Sequence, residues 1–304
     1  CTGHKALRSH LARLRYDYEH ARCDFSKVQQ PLNGNGETKS LEQFNRSLHF
    51  GQFTPRFSMQ YLSSHNQLFY ASVSKGYKAG GFNVSFLNND DYLYSPEYNW
   101  NYEIGTKLSF LNNRLSADLS LFYIDWRNQQ ITNTIPTVGN VIRNAGRSRN
   151  KGIEASFQAR PTKSWMMYMN YGHTDARFVH YQKEERGILK DYEGNYLPMV
   201  PRHTFSLTTG YSFYDICSWI DRLTLNAGVS VTGPIYWYED NQAKQSPYAL
   251  VNLRISINKG CFTWEAWSKN LTNTDYLSYY FVTSKAYAQK GKPITLGTSV
   301  SISL

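Results

Sequence analysis

Residues 292–304 read Lys-Pro-Ile-Thr-Leu-Gly-Thr-Ser-Val-Ser-Ile-Ser-Leu, and the repetition of this pattern along the chain decides between the possible fold classes. From Ile294 the even positions are apolar apart from Thr298, whereas the odd positions hold only threonine, glycine and serine. Successive side chains of a β-strand point to opposite faces, so this strand has one apolar face and one face of small polar groups. A soluble sandwich would bury the apolar face in a core, and a membrane barrel would place it in lipid.

The composition favours the membrane barrel. Aromatic residues make up 15% of the 304 residues, and the mean hydropathy is −0.55. No apolar run approaches the roughly 18 residues that a membrane-spanning helix needs. Barrel strands combine a low mean hydropathy with many aromatics, because half of each strand is polar and aromatic girdles mark the two interfaces.

Charge and cysteine usage exclude several other classes. The net charge is +10, but lysine and arginine are scattered along the chain, which argues against a nucleic-acid partner. The four cysteines (Cys1, Cys23, Cys217 and Cys261) lack the close spacing of zinc and redox motifs. The chain begins at Cys1 without an initiator methionine or a signal segment, so we expect it to be a fragment or a processed product.

The alternation of the last stretch recurs along the chain and predicts about twelve strands. The clearest hairpin joins residues 100–110 to 115–123 through a tight turn at Asn112-Asn113. The predicted strands cover residues 11–18, 55–61, 67–76, 100–110, 115–123, 153–160, 165–171, 205–213, 223–231, 249–257, 262–266 and 294–304.

The connections between these strands alternate between short and long. The short ones lie at 63–66, 112–113, 161–164, 214–222 and 258–260, and the long ones near 20–50, 78–99, 127–150, 175–202, 235–247 and 271–291. Outer-membrane barrels have short periplasmic turns and long extracellular loops. The pattern therefore predicts an all-β, antiparallel transmembrane β-barrel with every long loop outside.

Two soluble folds are the alternatives. A propeller should repeat a blade of roughly 40 residues, and we find no such repeat. A pair of β-sandwiches fits the alternation as well. However, the sandwiches do not explain why Trp100, Tyr102, Trp165 and Trp264 stand on the apolar face near strand ends, where a membrane girdle would place them.

Six segments resemble signatures of bacterial TonB-dependent outer-membrane receptors. They follow one another in the family's order within residues 55–304, and together they are far more specific than any one alone. The segments are Tyr-Ala-Ser-Val-Ser-Lys-Gly-Tyr-Lys-Ala-Gly-Gly-Phe-Asn at 70–83, Trp-Asn-Tyr-Glu-Ile-Gly-Thr-Lys at 100–107, Phe-Tyr-Ile-Asp-Trp at 122–126, Asn-Lys-Gly-Ile-Glu at 150–154, Leu-Pro-Met-Val-Pro-Arg-His at 197–203 and Lys-Asn-Leu-Thr-Asn at 269–273.

The resemblance implies a barrel of about 22 strands around an N-terminal plug that contacts TonB. Residues 1–304 would then be the C-terminal part of that barrel, without the plug and the first strands, and the cut sheet would leave two unpaired edges. The C-terminal strand resembles the signal read by the barrel-assembly machinery, although it closes on Leu304 where an aromatic is usual. The other implied partner is the lipid of the bacterial outer membrane.

The resemblance also implies active uptake of a scarce nutrient, such as a ferric siderophore, haem or cobalamin, energised through TonB. Among these, we expect a ferric siderophore or a similar metal chelate. Aromatic side chains with a few cations in the long loops suit a flat, anionic complex. The same tyrosines could instead pack against one another or form the upper girdle. The candidate ligand-binding residues are Tyr92, Tyr94, Arg143, Arg147, Tyr181, Tyr192, Tyr236, Trp237, Tyr238, Tyr279 and Tyr280, with Arg149 and Tyr196 as further members of the same group.

The rival functions assume a different protein. A self-contained twelve-stranded barrel would be a channel or a lipase, and a truncated remnant would transport nothing. A lipase needs a Ser–His pair on its lipid-facing side, and His173 lies on that face without an apparent serine. No GxSxG elbow is present, and His173, Asp175 and His180 form only a weak metal candidate. We therefore expect no enzymatic activity, no resident metal and no cofactor.

Overall fold

The computed structural model describes residues 7–29, 39–63, 67–86, 91–135, 138–144, 146–185, 188–282 and 285–303. These ranges contain 24 β-strands, numbered here β1 to β24 in chain order, and no α-helix. Within them, no helix is long and apolar enough to cross a membrane.

Twelve strands form one antiparallel sheet in which each strand pairs with the one before it in this series. The two ends of the sheet are the first and last strands of the series, so the described sheet has two edges. The prediction of about twelve strands is confirmed. The strands are β1 (Leu7–Arg13), β4 (Arg56–Leu62), β5 (Leu68–Lys78), β8 (Glu97–Phe110), β9 (Leu115–Arg127), β12 (Arg147–Ala159), β13 (Trp165–His180), β16 (His203–Cys217), β17 (Ile220–Thr232), β20 (Tyr248–Lys259), β21 (Phe262–Lys269) and β24 (Thr295–Ile302).

The other twelve strands pair in sequence into six two-stranded hairpins, one in each long connection. Because the large sheet is antiparallel and the connections alternate, all six hairpins leave it at the same end, which we call the hairpin end. The opposite end carries the short connections and is called the turn end. The hairpins are β2 (Tyr16–Gln29) with β3 (Lys39–Phe53), β6 (Gly81–Phe82) with β7 (Leu93–Tyr94), β10 (Gln130–Ile135) with β11 (Gly139–Asn144), β14 (Gln182–Glu185) with β15 (Ile188–Asp191), β18 (Ile235–Tyr236) with β19 (Lys244–Gln245), and β22 (Leu277–Val282) with β23 (Ala286–Lys290).

One face of the large sheet is apolar and open to its surroundings. Ile104 pairs with Leu121 across β8 and β9, and Ile104 is 55% exposed. Val300 on β24 is 67% exposed on the same face. A soluble domain would cover such a continuous apolar surface. Trp165 and Trp264 stand near the turn end of this face and Trp100 nearer the hairpin end, so aromatics flank the apolar band on both sides.

The other face of the large sheet is polar and closely fitted. The Tyr70 hydroxyl of β5 donates a hydrogen bond of 2.7 Å to the Glu103 carboxylate of β8. The Tyr70 ring lies across Gly105, where an added Cβ would come within 2.6 Å of it. The absence of a side chain at Gly105 is therefore what lets the tyrosine reach its partner.

The short turns follow simple backbone rules. Leu111, Asn112 and Asn113 all have positive φ, at 52°, 54° and 66°, in the region that asparagine tolerates well. The predicted turn at Asn112-Asn113 is confirmed. At the β20–β21 turn, Asp221 accepts hydrogen bonds from the Lys259 amine at 2.7 Å and the Gly260 backbone N–H at 2.8 Å. The predicted turn at 63–66 falls on Ser64, His65 and Asn66, which lie outside the described residues.

Several predicted boundaries were wrong. The first strand was placed at 11–18, but β1 ends at Arg13 and Tyr16 already begins β2. The sheet is interrupted between them because Pro55, opposite this break, has no N–H to continue the ladder, although Thr54 still donates to the Arg15 carbonyl at 2.8 Å.

The long connections are also more regular than predicted. Residues 147–150 were assigned to a loop but begin β12, and residues 175–180 were assigned to a loop but end β13. The six long connections contain paired strands rather than only irregular loop. Alternating apolar patterning does not reveal these hairpins, because both of their faces are largely polar or aromatic.

Candidate functional site

The candidate site lies at the hairpin end, where most of the predicted binding residues are found. Three groups of side chains hold the hairpins together there.

The first group centres on Asn83, which sequence reasoning missed as a site residue. This buried side chain donates to the Asp91 carbonyl at 2.6 Å and to the Ile142 carbonyl at 2.8 Å. Its oxygen accepts from the Ile142 backbone N–H at 2.8 Å. One amide therefore joins the β6–β7 hairpin to the β10–β11 hairpin. Its position as the last residue of the family-like segment 70–83 was the available signal.

An ion pair supports the same junction. Arg143 of β11 donates to both carboxylate oxygens of Asp91, at 2.7 and 2.6 Å. This hydrogen bonding raises the pKa of Arg143 further above its ordinary value. A bidentate arginine–carboxylate pair is strong and directional. The guanidinium is thus engaged within the protein, rather than presented to solvent as a free cation.

Tyr92 and Tyr94 belong to this group too. Tyr92 is buried, with its ring 5.9 Å from Phe82 and 5.8 Å from Phe86 by centroid. The Tyr94 ring lies over Gly81, the residue that pairs with it. Both tyrosines pack inside the hairpin junction.

The second group is an aromatic core between the end of β13 and the β14–β15 hairpin. Phe178 is 1% exposed and stands 4.8 Å from Tyr181, which stands 5.7 Å from Tyr192. Both tyrosines are buried. Ala176 and Leu197 complete the cluster, and Ile131 of β10 and Val200 pack against its edge. The sequence placed Tyr181 and Tyr192 at a binding surface, and the structure places them in this core.

The third group joins the β18–β19 and β22–β23 hairpins. Trp237 is buried, with Tyr279 and Tyr280 at centroid distances of 6.4 and 6.5 Å. Tyr238 contacts Tyr280 edge-on, and its hydroxyl accepts the Val282 backbone N–H at 2.5 Å. Burial is the main cause of the raised pKa of Tyr238.

Tyr196 connects the second and third groups. Its ring is stacked on Tyr236 at 5.4 Å with an interplanar angle of 6°. The guanidiniums of Arg177 and Arg202 approach the same ring at 4.0 and 4.6 Å. Asn241 adds a reciprocal pair of hydrogen bonds, accepting from the Tyr196 N–H at 2.7 Å and donating to its carbonyl at 2.9 Å.

The structure brings Trp237, Tyr238, Tyr279 and Tyr280 into one cluster, and Tyr236 precedes them in sequence and stacks on Tyr196. We call these five residues, Tyr236 included, the aromatic surface. Tyr279 is 42% exposed, while Tyr236, Tyr238 and Tyr280 are half-buried with part of each ring accessible. Phe281 and Tyr287 are exposed beside Tyr279 and stack on each other at 5.0 Å.

Two predicted arginines lie away from this surface. Arg147 opens β12 and donates to Asp125 of β9 at 2.5 Å. Arg149 lies two residues further along β12 and is exposed. Both side chains project from the same face of the large sheet, which is apolar near the middle of the strands.

The geometry gives little support to a catalytic or metal-binding role for the candidate residues. His173 lies 4.6 Å from His203, ring to ring, and its Nδ1 is 3.0 Å from the Arg202 carbonyl. No group of three or more histidine, cysteine, aspartate or glutamate residues suited to a metal ion occurs in the described part of the chain.

Comparison with known proteins identifies the architecture. Residues 11–273 match the family described as TonB dependent receptor-like, beta-barrel. The probable TonB-dependent siderophore receptor PiuA of Acinetobacter baumannii is 25% identical over 241 residues, covering 74% of this chain and 30% of PiuA. The pesticin receptor of Yersinia pestis is 26% identical over 262 residues, covering 83% of this chain and 36% of the receptor.

Solved structures agree with the fold. The ferric yersiniabactin uptake receptor FyuA of Yersinia pestis superposes with a TM-score of 0.79 at 20% identity, over 97% of this chain and 43% of that receptor. The copper transporter OprC superposes with a TM-score of 0.72 at 13% identity, over 98% of this chain and 46% of the transporter. The chain spans about a third of the length of these curated relatives, and it belongs to the β-barrel family of TonB-dependent receptors, which reside in the bacterial outer membrane.

Proposed function

We propose that this chain forms the C-terminal part of an outer-membrane receptor that takes up a metal chelate of the ferric-siderophore class. The observation that carries the proposal is the aromatic surface built from two neighbouring hairpins at the extracellular end of the sheet. Flat rings suit the faces of a chelate, and tyrosine and tryptophan recognise ligands at a small cost in side-chain entropy.

The relatives support the iron-chelate class. PiuA is a probable siderophore receptor, and FyuA is a ferric yersiniabactin uptake receptor. The ferrichrome transporter of Escherichia coli is 24% identical over 241 residues. These three relatives are receptors or transporters, which supports a role without catalysis.

Within the aromatic surface, we assign ligand contact to Tyr279 and Tyr280, with Tyr236 and Tyr238 beside them. Trp237 is buried beneath these rings and would hold them in position. The alternative, in which loop tyrosines pack against one another instead of binding ligand, applies best to Tyr92, Tyr181 and Tyr192. These three side chains are buried among other aromatics. Arg143 and Arg147 would act by fixing neighbouring strands, because each is paired with a carboxylate.

Energy for uptake would come from TonB through a plug supplied by the rest of the receptor, and the last strand would engage the barrel-assembly machinery. The intact mass of the polypeptide extracted from its native outer membrane tests this arrangement. A barrel of about 22 strands with a plug requires a mass at least about twice 35.2 kDa. A mass near 35.2 kDa would overturn the proposal of a plugged transporter.

Uptake itself is tested in cells that express only the intact receptor. The probe is the mixture of chelates that the source bacterium secretes under iron starvation, loaded with radioactive iron. Tyr279→Ala with Tyr280→Ala should weaken binding to the cells about tenfold, the loss expected for two ring contacts. Tyr214→Ala, which changes an exposed tyrosine at the turn end, is the control and should bind normally.

The outcomes separate the two levels of the proposal. If cells without the receptor take up the probe as well as cells that contain it, the transport function is wrong. If uptake depends on the receptor but the double variant binds normally, the transport function stands and the assignment of Tyr279 and Tyr280 is wrong.

A further inference from the structure

A group of cations lies on the outward face of the barrel wall, and one of them, Arg177, also contacts Tyr196 beside the aromatic surface. We call this group the outer basic patch, and it consists of Arg127, Arg147, Arg149, Lys151 and Arg177. Strand register fixes its position. Arg149 of β12 pairs with Asp125 of β9 and Arg177 of β13, and Lys151 pairs with Tyr123 and Asp175 in the next row.

The outer basic patch directly adjoins the apolar band that faces lipid. Ile153, the next residue of β12 on this face, pairs with Leu121 on one side and His173 on the other. Leu121 and Ile153 are 42% and 39% exposed. Residues two apart on a strand are separated by about 7 Å, so Lys151 stands within about 7 Å of the apolar band.

Aromatic residues place the patch at the level of the lipid headgroups. Trp100 of β8 is in register with Asp125, and Tyr102 is in register with Tyr123. The rings of Tyr102 and Tyr123 are 6.2 Å apart. Tryptophan and tyrosine concentrate at the membrane–water interface, so the rows that hold Arg149 and Lys151 coincide with that interface.

The charges of the patch do not cancel. Asp125 accepts from Arg127 at 3.2 Å and from Arg147 at 2.5 Å. Asp175 accepts from Arg177 at 2.8 Å and lies 3.8 Å from Lys151. Two carboxylates thus form ion pairs with four cations. Among the described residues, Arg149 has no ion pair, and its side chain is exposed. The carboxylates orient the cations and leave the patch positively charged.

We propose that the outer basic patch binds the phosphate headgroup of an anionic lipid in the outer leaflet. Guanidinium groups recognise phosphate through paired N–H donors, and an ammonium group adds a compact charge. Arg149 and Lys151 would hold the phosphate while the acyl chains lie along Leu121 and Ile153. The occupant is a lipid rather than a soluble anion because the cations border the apolar band directly.

The test uses the intact receptor in phosphatidylcholine bilayers that contain a small fraction of phosphatidic acid. Spin-labelled phosphatidic acid and spin-labelled phosphatidylcholine report the relative association of each lipid with the protein. The receptor should prefer phosphatidic acid, and Arg149→Gln with Lys151→Gln should reduce that preference about five- to tenfold. Arg149→Lys with Lys151→Arg keeps both charges and should retain most of it.

The matched control is Lys107→Gln with Arg222→Gln. It removes two cations from the polar face of the same sheet and should leave the preference unchanged, because that face does not meet lipid. Unequal folding is detected from the electrophoretic mobility of the unheated receptor.

Three results would overturn the proposal. The first is a wild-type receptor without preference for phosphatidic acid, and the second is an equal loss in the control. The third is full displacement of the labelled lipid by inorganic phosphate at millimolar concentration, which would make the patch a site for free phosphate.

Discussion

The twelve-stranded sheet and the six extracellular hairpins are both built from paired β-strands, but different forces specify them. In the sheet, every strand repeats the same two-residue alternation, and each register places apolar side chains such as Ile104 and Leu121 on one face. In the hairpins, a few particular contacts fix the structure, such as the three hydrogen bonds of Asn83. The sheet therefore tolerates many side-chain changes and few backbone changes, and the hairpins behave in the opposite way.

The largest effect is expected from a backbone obstruction within the sheet. An added Cβ at Gly152 of β12 would approach the Phe122 ring to 2.5 Å and would also meet the His173 carbonyl. Gly152→Val should therefore prevent strand pairing and abolish the folded receptor in the outer membrane. The measurement is the heat-modifiable electrophoretic migration of the intact receptor. Ser156→Val, an exposed position on the same face of β12, is the control and should fold.

A large but local effect is expected in the second group of the hairpins. Phe178 is 1% exposed, and truncating a buried phenylalanine to alanine costs about 3–5 kcal/mol. Phe178→Ala should speed hydrogen exchange at the amides of Tyr192 and Gly194, which donate to the Tyr181 and Phe178 carbonyls. The sheet should be unchanged, and Ile188→Ala on the exposed side of the same hairpin should have little effect. Global unfolding of Phe178→Ala would show that hairpins and sheet are one cooperative unit.

A smaller effect is expected at the junction of the first group. Asn83→Ala leaves the Ile142 N–H and two carbonyls without their partner, and each buried unsatisfied group costs about 1–3 kcal/mol when water cannot replace the bond. The Ile142 amide should lose its protection from exchange while assembly proceeds normally. Asn83→Asp keeps the acceptor for Ile142 but sets a carboxylate oxygen against the Asp91 and Ile142 carbonyl oxygens, so it should protect the Ile142 amide no better than Asn83→Ala. Equal protection in all three proteins would contradict the role given to Asn83.

The smallest effect concerns Tyr238 and pH. Burial raises the pKa of Tyr238 above 10.0, the hydrogen bond from the Val282 N–H opposes this shift, and neighbouring groups such as Tyr280 add to it. The fold therefore favours the neutral hydroxyl, so this stabilisation is complete below pH 10 and is lost as the pH rises through the higher folded pKa. Exchange at the Val282 amide should accelerate in that range.

Tyr238→Phe removes the acceptor of the Val282 N–H and should cost about 0.5–1.5 kcal/mol of local stability at neutral pH. It should also remove the alkaline acceleration at Val282 beyond the ordinary base catalysis of exchange. If the variant and the wild type show the same alkaline profile, another group is responsible for the transition.

The same contrast explains which structural features the sequence could predict. The strands and the tight turn at Asn112-Asn113 follow from local rules of side-chain alternation and backbone dihedral angle. The break after Arg13 was missed because it depends on Pro55, a residue that is distant in sequence and opposite in the sheet. The extension of β13 to His180 was missed because the alternation of polarity fades beyond the apolar band.

The candidate site was predictable in composition but only partly in arrangement. Loop tyrosines and tryptophans were identified by type and position, yet burial separates Tyr181 and Tyr192 from the accessible Tyr279. Which rings face inward depends on hairpin pairing, and that pairing has no apolar period. Asn83 and Asn241 were missed as site residues because a single asparagine in a loop has no distinctive pattern until its backbone partners are known.

The Asn83 junction has a consequence for motion. Because one amide side chain joins the β6–β7 and β10–β11 hairpins, and the Asp91–Arg143 pair joins them again, these two extracellular segments must tilt together. A ligand that displaces one of them would therefore displace the other without touching it. The two hairpins would then move in a single concerted step, because separating them would require breaking these few bonds.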